Sequence, residues 1–255
     1  MKLPAAPAPS TEFKNAAGSS VPREFALEAR KNPEVIKEMA ETPSEKRVLE
    51  KEALARSYCL IVDRSGSMTT PDGTGTRWNS ARKAVEQLVG KMLEFDLDGS
   101  IPLFLFDHEV ESIGECTSPS QVLSVFKDYP PRRGTTNLAP CLETVLGKYA
   151  GNRRENYEVV PGLTVVVILD GTSDDNQAVR DVMKKYADPA NGFCASHTEI
   201  GIAFVQIGND TGATAFLKEL DEGVMGSPDI ASTMKDETLF APGGVEKCLY
   251  DAIFA

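Results

Sequence analysis

The stretch YCLIVDRSGSM, residues 58–68, gives the first indication of the fold class of this chain. Five apolar or aromatic residues run without interruption and stop at Asp63, and Ser65 and Ser67 follow at alternate positions. A short apolar run without alternation is typical of a strand that is buried on both faces, as in a parallel sheet. The sequence therefore predicts a buried strand that leads into one carboxylate and two hydroxyls.

Three further apolar runs repeat this pattern: IPLFLF (101–106), LTVVVIL (163–169) and IGIAFVQI (200–207). Between the runs, apolar residues recur three or four positions apart, as on one face of a helix; the first such face carries Trp78, which we expect in the core. The segment EVESI (109–113) alternates and predicts an antiparallel edge strand beside IPLFLF. We expect an α/β, doubly wound, mostly parallel central sheet with one antiparallel edge strand and helices on both faces.

The first 55 residues differ in composition from the rest of the chain. Residues 1–20 are rich in Pro, Ala, Ser and Gly and predict a flexible tail. Residues 21–55 are charged and contain two helix-start signals, Asn32-Pro33 and a capping box from Thr42 to Glu45. We therefore expect a tail over 1–20, a charged helical N-terminal extension over 21–55 and the α/β domain over 56–255.

Charge and cysteine content restrict the classes of partner and compartment. The formal net charge of -11 argues against general nucleic-acid binding, which needs clustered Lys and Arg. The N-terminus has no apolar core of signal-peptide length, and no run approaches 18 apolar residues, so we expect no membrane span and a cytoplasmic protein. Five scattered cysteines, without zinc-type spacing, predict reduced and mostly buried thiols.

Oxygen-bearing side chains occur at the ends of two predicted strands and in the loop ahead of a predicted helix, where ligands bind in a doubly wound sheet. They belong to Asp63, Ser65, Ser67, Thr136 and Asp170. Two carboxylates and three hydroxyls suit a hard divalent cation, for which we expect Mg²⁺, with Mn²⁺ or Ca²⁺ as alternatives. Local structural roles stay open: the aspartate and serines could stabilise a turn, and the threonine could cap the next helix.

In their order along the chain these motifs resemble the von Willebrand factor type A domain, as in integrin I domains. The family's metal-ion-dependent adhesion site reads Asp-x-Ser-x-Ser, then Gly-x-Thr, then an Asp after a later strand, and this chain has DRSGS (63–67), GTTNL (134–138) and LDG (169–171). The resemblance covers about residues 56–255. Two departures are Leu169, where relatives often have Thr or Ser, and the long rim segment TTPDGTGT (69–76).

The resemblance implies a protein-protein interaction module, not an enzyme, in which a partner protein supplies a Glu or Asp to the open coordination position of the metal. A metal-assisted hydrolase or phosphatase, or a scaffold subunit with a structural metal, is the alternative. The two histidines, His108 and His197, do not occur in a nucleophile pattern, and Walker or Gly-x-Ser-x-Gly motifs are absent from the sequence. A glutamate of the extension, such as Glu38, Glu41 or Glu45, could also reach the open position in cis.

Overall fold

The computed structural model describes residues 12–14, 20–22, 28–29, 43, 46, 50, 53–156, 162–224 and 226–254, with backbone only at 12–14, 20–22 and 153–156. The chain divides into two compact units, Met1–Ala55 and Arg56–Ala255. In the first unit, strands β1 (Glu12–Lys14) and β2 (Ser20–Pro22) pair antiparallel. The helix-start signal at Asn32-Pro33, both ends of the capping box (Thr42 and Glu45), and the glutamates at 38, 41 and 45 lie outside the described residues. The predicted tail and extension therefore stay predictions.

The second unit alternates strands and helices, as the apolar runs predict. Its strands are β3 (Ser57–Asp63), β4 (Pro71–Asp72), β5 (Gly75–Thr76), β6 (Ile101–Phe106), β7 (Val110–Cys116), β8 (Leu163–Leu169), β9 (Ile200–Gln206) and β10 (Ala231–Lys235). Its helices are α1 (Arg77–Phe95), α2 (Pro119–Asp128), α3 (Leu138–Asn156), α4 (Asn176–Ala187), α5 (Thr211–Asp221), α6 (Asp236–Leu239) and α7 (Gly244–Asp251). In the described chain none of these helices has the length and hydropathy needed to cross a membrane.

Six strands form the central sheet in the order β10-β9-β8-β3-β6-β7. All neighbours are parallel except β6 and β7, which pair antiparallel at one edge. The predicted fold class is confirmed, including the antiparallel edge strand. The segment 69–76 contributes the small antiparallel pair β4–β5, which leads directly into α1.

The two faces of the sheet are covered by different helices. Every residue of β8 and β9 is buried, which explains why their sequences do not alternate. On one face, Ile61, Val167 and Phe204 belong to a core cluster with residues from α3, α4 and α5. On the other face, α1 contacts β3, and Trp78 is buried with its indole N–H donating to the Phe126 carbonyl at 2.9 Å. The expected core position of Trp78 agrees with this packing.

Candidate metal centre at the end of the sheet

The candidate site lies where the chain changes direction across the sheet. From β3 the chain crosses to β6 on one side, and it later returns to β8 on the other side of β3. Asp63 is the last residue of β3, and Asp170 directly follows β8. The connections that leave the parallel strands β3 and β8 run in opposite directions across the sheet, which opens a crevice at the carboxyl ends of these strands. The two carboxylates therefore lie at the position expected for a ligand.

A chain of hydrogen bonds joins these two carboxylates through the loop after β3. The Ser65 backbone N–H donates to Asp63 Oδ1 at 2.7 Å. The hydroxyls of Ser65 and Ser67 lie 2.9 Å apart, and the Ser67 hydroxyl donates to Asp170 Oδ1 at 2.8 Å. The structure thus brings four of the five predicted site residues into direct contact.

Asp63 stabilises the turn that follows it, as the structural alternative predicts, but only through one of its two carboxylate oxygens. Its Oδ2 is buried and lacks a hydrogen-bond partner among the described residues. A buried carboxylate oxygen without a donor is costly unless a cation or a proton satisfies it. The turn interaction therefore leaves one ligand oxygen available.

Thr136 joins the site through its backbone. Its carbonyl accepts from the Asp174 N–H at 2.7 Å and from the Ser173 hydroxyl at 3.1 Å, which connects it to the loop after β8. The Ser173 hydroxyl also lies 3.3 Å from the Leu138 amide at the start of α3. That amide therefore uses Ser173, whereas the sequence left a capping role for Thr136 open.

The loop that carries Thr136 also touches the loop after β3. The Arg132 N–H donates to the Arg64 carbonyl at 2.9 Å, and a Cβ on Gly66 would lie 3.7 Å from the Gly134 nitrogen. Arg64 itself is fully buried and forms ion pairs with Asp107 and Glu111. Because all three loops contact one another, the hydroxyl-bearing and carboxylate-bearing segments form one site.

The electrostatics of the site indicate a shortage of positive charge. Asp63 and Asp170 are both fully buried. Burial raises the pKa of Asp63 to about 7, with the negative charge of Asp170 as the second largest cause. Two neighbouring buried carboxylates stabilise the protonated form of one of them, and a bound cation would remove that stress.

This donor set fits a hard divalent cation. Carboxylate and hydroxyl oxygens are ligands that Mg²⁺ prefers. The unsatisfied Oδ2 of Asp63 is a carboxylate oxygen that no hydrogen bond of the described residues uses. Over the described part of the chain, no three Asp, Glu, His or Cys side chains group for a metal ion. The candidate site therefore depends on its serine and threonine hydroxyls as well as on its carboxylates.

Arg77 is a site residue that the sequence analysis missed. Its Nη1 lies 2.9 Å from Asp170 Oδ2, and 19% of its side chain is exposed. The residue follows the β4–β5 pair and begins α1, so the long rim segment delivers it to the site. An arginine at the first position of a helix, where the helix dipole disfavours a cation, is the sequence signal that could have identified it.

One member of the acidic pair that follows the site caps the next helix. Asp175 is the N-cap of α4, and its side chain accepts from the Ala178 N–H at 2.9 Å. Asp174 is exposed. His108 contacts Asp107 at 3.1 Å and not a serine of the site.

The sheet defines a doubly wound α/β domain, with an oxygen-rich candidate site at its switch point. Residues 58–173 match a family model for the von Willebrand factor type A domain. Over this segment, which runs from β3 to the loop after β8, the chain is similar to that family. A comparison with curated proteins gave no match.

Solved structures support the same fold. The VWA domain of SpRpn10 has a TM-score of 0.52 at 13% identity, with 78% of this chain and 94% of that chain covered. BatB from Bacteroides thetaiotaomicron also has a TM-score of 0.52 at 13% identity, with 78% and 97% covered. Manganese-loaded TRAP protein from Plasmodium vivax has a TM-score of 0.51 at 18% identity, with 75% and 74% covered. At these identities the likeness concerns the fold alone.

Proposed function

We propose that this protein is a metal-dependent protein-interaction module. A divalent cation, with Mg²⁺ as the first choice and Mn²⁺ or Ca²⁺ as alternatives, is held by oxygens of Asp63, Ser65, Ser67, Thr136 and Asp170. The observation that carries the proposal is the buried and unsatisfied Oδ2 of Asp63 beside a second buried carboxylate. The manganese that a structural neighbour of the same fold carries adds support.

The partner in this proposal is a protein that presents a Glu or Asp side chain. A cation held by only two protein carboxylates supplies an electrophilic position that can accept a third carboxylate. The chain's own contribution is to hold Asp63 and Asp170 on the ends of adjacent strands, so that little reorganisation accompanies binding. The acidic net charge of -11 makes nucleic acid an unsuitable partner.

We also propose that the site binds without catalytic turnover. The Ser67 hydroxyl donates directly to Asp170, and the Ser65 hydroxyl contacts Ser67. These contacts support the proposal, because they are made with oxygen groups of the site and not with an imidazole base. A phosphoester panel tests this proposal. Hydrolysis that Asp170→Ala abolishes would instead establish the hydrolase alternative.

A cytoplasmic location is part of the proposal. All five cysteines are buried and none forms a disulfide, as is usual for proteins of reducing compartments.

Calorimetric titration with Mg²⁺ or Mn²⁺ tests the metal site. We expect binding to wild type and to Asp174→Ala, an exposed control in the loop after β8, but not to Asp63→Ala. Capture of proteins from a cell extract should then require Mg²⁺, reverse with EDTA and fail with Asp63→Ala. Equal metal binding by wild type and Asp63→Ala would overturn the proposal.

A further inference from the structure

Arg77 brings a positively charged side chain of this chain into contact with the candidate metal site. Its Nη1 contacts Asp170 Oδ2 at 2.9 Å, while Asp170 Oδ1 accepts from the Ser67 hydroxyl at 2.8 Å. Both oxygens of this carboxylate are therefore engaged by side chains of the same chain. Asp63 has no such cation, and its Oδ2 stays unsatisfied among the described residues.

The position of Arg77 is unfavourable for the helix that it begins. Arg77 is the first residue of the 19-residue helix α1, and the first turn contains no acidic residue. Helix N-termini favour anions and disfavour cations. The N-cap Thr76 and the 3.0 Å bond from the Arg77 N–H to the Thr70 carbonyl hold the backbone in place. A residue that breaks a local rule and points at a functional site is expected to serve that site.

The loop after β9 is shaped to accommodate the Arg77 side chain. Gly208 adopts a φ of +73°, and a Cβ at this position would lie 3.1 Å from Arg77 Nε. A side chain at 208 would therefore crowd the guanidinium, and glycine is also the residue best suited to a positive φ. The arginine thus lies between Asp170 and a closely approaching backbone.

We propose that Arg77 is a resident cation that competes with the divalent metal for Asp170 and so sets the metal affinity of the site. This inference rests on the proposed function. In this structure the guanidinium compensates the charge of the buried Asp170. The guanidinium repels a divalent cation at the same carboxylate, and this repulsion makes the binding free energy of the cation less favourable.

The test is a calorimetric Mg²⁺ titration of wild type, Arg77→Gln, Arg77→Lys and Arg82→Gln. Arg82 is exposed on α1 and controls for the loss of one positive charge. We expect Arg77→Gln to bind Mg²⁺ roughly tenfold more tightly. This is the effect expected in a water-like dielectric when a unit positive charge is removed from one side of a carboxylate that holds a divalent ion on its other side. Arg77→Lys and Arg82→Gln should stay within about twofold of wild type.

Thermal unfolding distinguishes competition from a structural role. Arg77→Gln should unfold at a lower temperature than wild type without metal, because Asp170 loses its partner, and should gain more from added Mg²⁺. Loss of stability with unchanged Mg²⁺ affinity would overturn the competition and leave the proposed function intact. An equal gain in affinity for Arg82→Gln would also overturn it, and Mg²⁺ binding by neither wild type nor Arg77→Gln would overturn both proposals.

A measurement on wild type covers the case in which Arg77→Gln does not fold. The ¹⁵Nε–H signal of Arg77, assigned by its loss in Arg77→Lys, should move when Mg²⁺ saturates the protein. A signal that saturating Mg²⁺ leaves unchanged would overturn the proposal.

Discussion

Replacing Asp63 by Asn should stabilise the metal-free protein, although it removes a carboxylate of the proposed metal site. Burial and the nearby Asp170 raise the pKa of Asp63 from 3.8 to about 7. One pKa unit corresponds to about 1.4 kcal/mol, so an ionised Asp63 costs the metal-free fold about 4 kcal/mol above pH 8. The amide removes this charge and keeps an oxygen for the Ser65 N–H, but its NH₂ group needs an acceptor, which costs about 1–3 kcal/mol.

The expected net gain for Asp63→Asn is therefore about 1–3 kcal/mol at pH 8 in EDTA. Each kcal/mol corresponds to about 2–4 °C in Tm for a domain of this size. Urea and thermal unfolding in EDTA measure both quantities. Asp174→Asn, which removes an exposed carboxylate from the loop after β8, is the matched control and should change the stability by less than about 0.5 kcal/mol.

The gain should depend on pH in a defined direction. Because the folded pKa of Asp63 is raised to about 7, the folded chain takes up a proton as the pH falls through this value, whereas the unfolded chain takes it up only near its ordinary 3.8. The wild type therefore gains stability between about pH 8 and pH 4 relative to Asp63→Asn. The advantage of the variant should disappear within this window, and the wild type should be the more stable protein at its lower end.

Saturating Mg²⁺ should reverse the order of stability. A ligand that binds only the native state stabilises it by mass action, so wild type should rise above Asp63→Asn, which gains nothing. The reasoning is refuted if Asp63→Asn is less stable than wild type at pH 8 in EDTA. It is equally refuted if the difference between the two proteins is the same at pH 5 and pH 8.

Two further predictions concern the site loop and the packing of the sheet. Ser67→Ala removes the hydroxyl that bridges Ser65 and Asp170. We expect about tenfold weaker Mg²⁺ binding by calorimetry and a free energy of unfolding in urea that is about 1 kcal/mol lower. Unchanged affinity would show that this hydroxyl is not a ligand. Gly201→Ala would overlap the carbonyl oxygen of Ala252, so we expect a loss of more than about 2 kcal/mol. Gly90→Ala, on an open face of α1, should instead stabilise the protein by about 0.5–1 kcal/mol, and equal effects of the two changes would contradict the packing.

The sequence predicts the central sheet because its inner strands are buried on both faces. Burial makes β3, β8 and β9 continuously apolar, and this feature is visible without a structure. Strand β10 was not predicted, because only two of its five residues are buried and its sequence, ASTMK, has no apolar run. An edge strand needs only one neighbour, so its sequence carries little of the pattern that identifies a strand.

Four of the five candidate ligand residues were predictable because they end or closely follow β3 or β8. Asp63 and Asp170 are placed by the ends of β3 and β8, and the topology brings these ends together. Ser65 and Ser67 are within four residues of the strand, so their position depends on the same local turn. Thr136 depends on a loop between two helices, and its placement needs the contacts from Asp174 and Ser173 that only the fold provides.

Arg77 was not predictable from the same reasoning, because its role depends on three separate parts of the chain. The hairpin β4–β5 sets where α1 begins, β8 places Asp170, and Gly208 lets the loop after β9 approach the guanidinium. The site therefore contains two kinds of charged group: carboxylates fixed by strand ends and a cation delivered by a helix start. Since the carboxylates belong to the rigid sheet and the arginine to its rim, changes in the rim segment 69–76 should tune metal affinity more readily than changes in the strands.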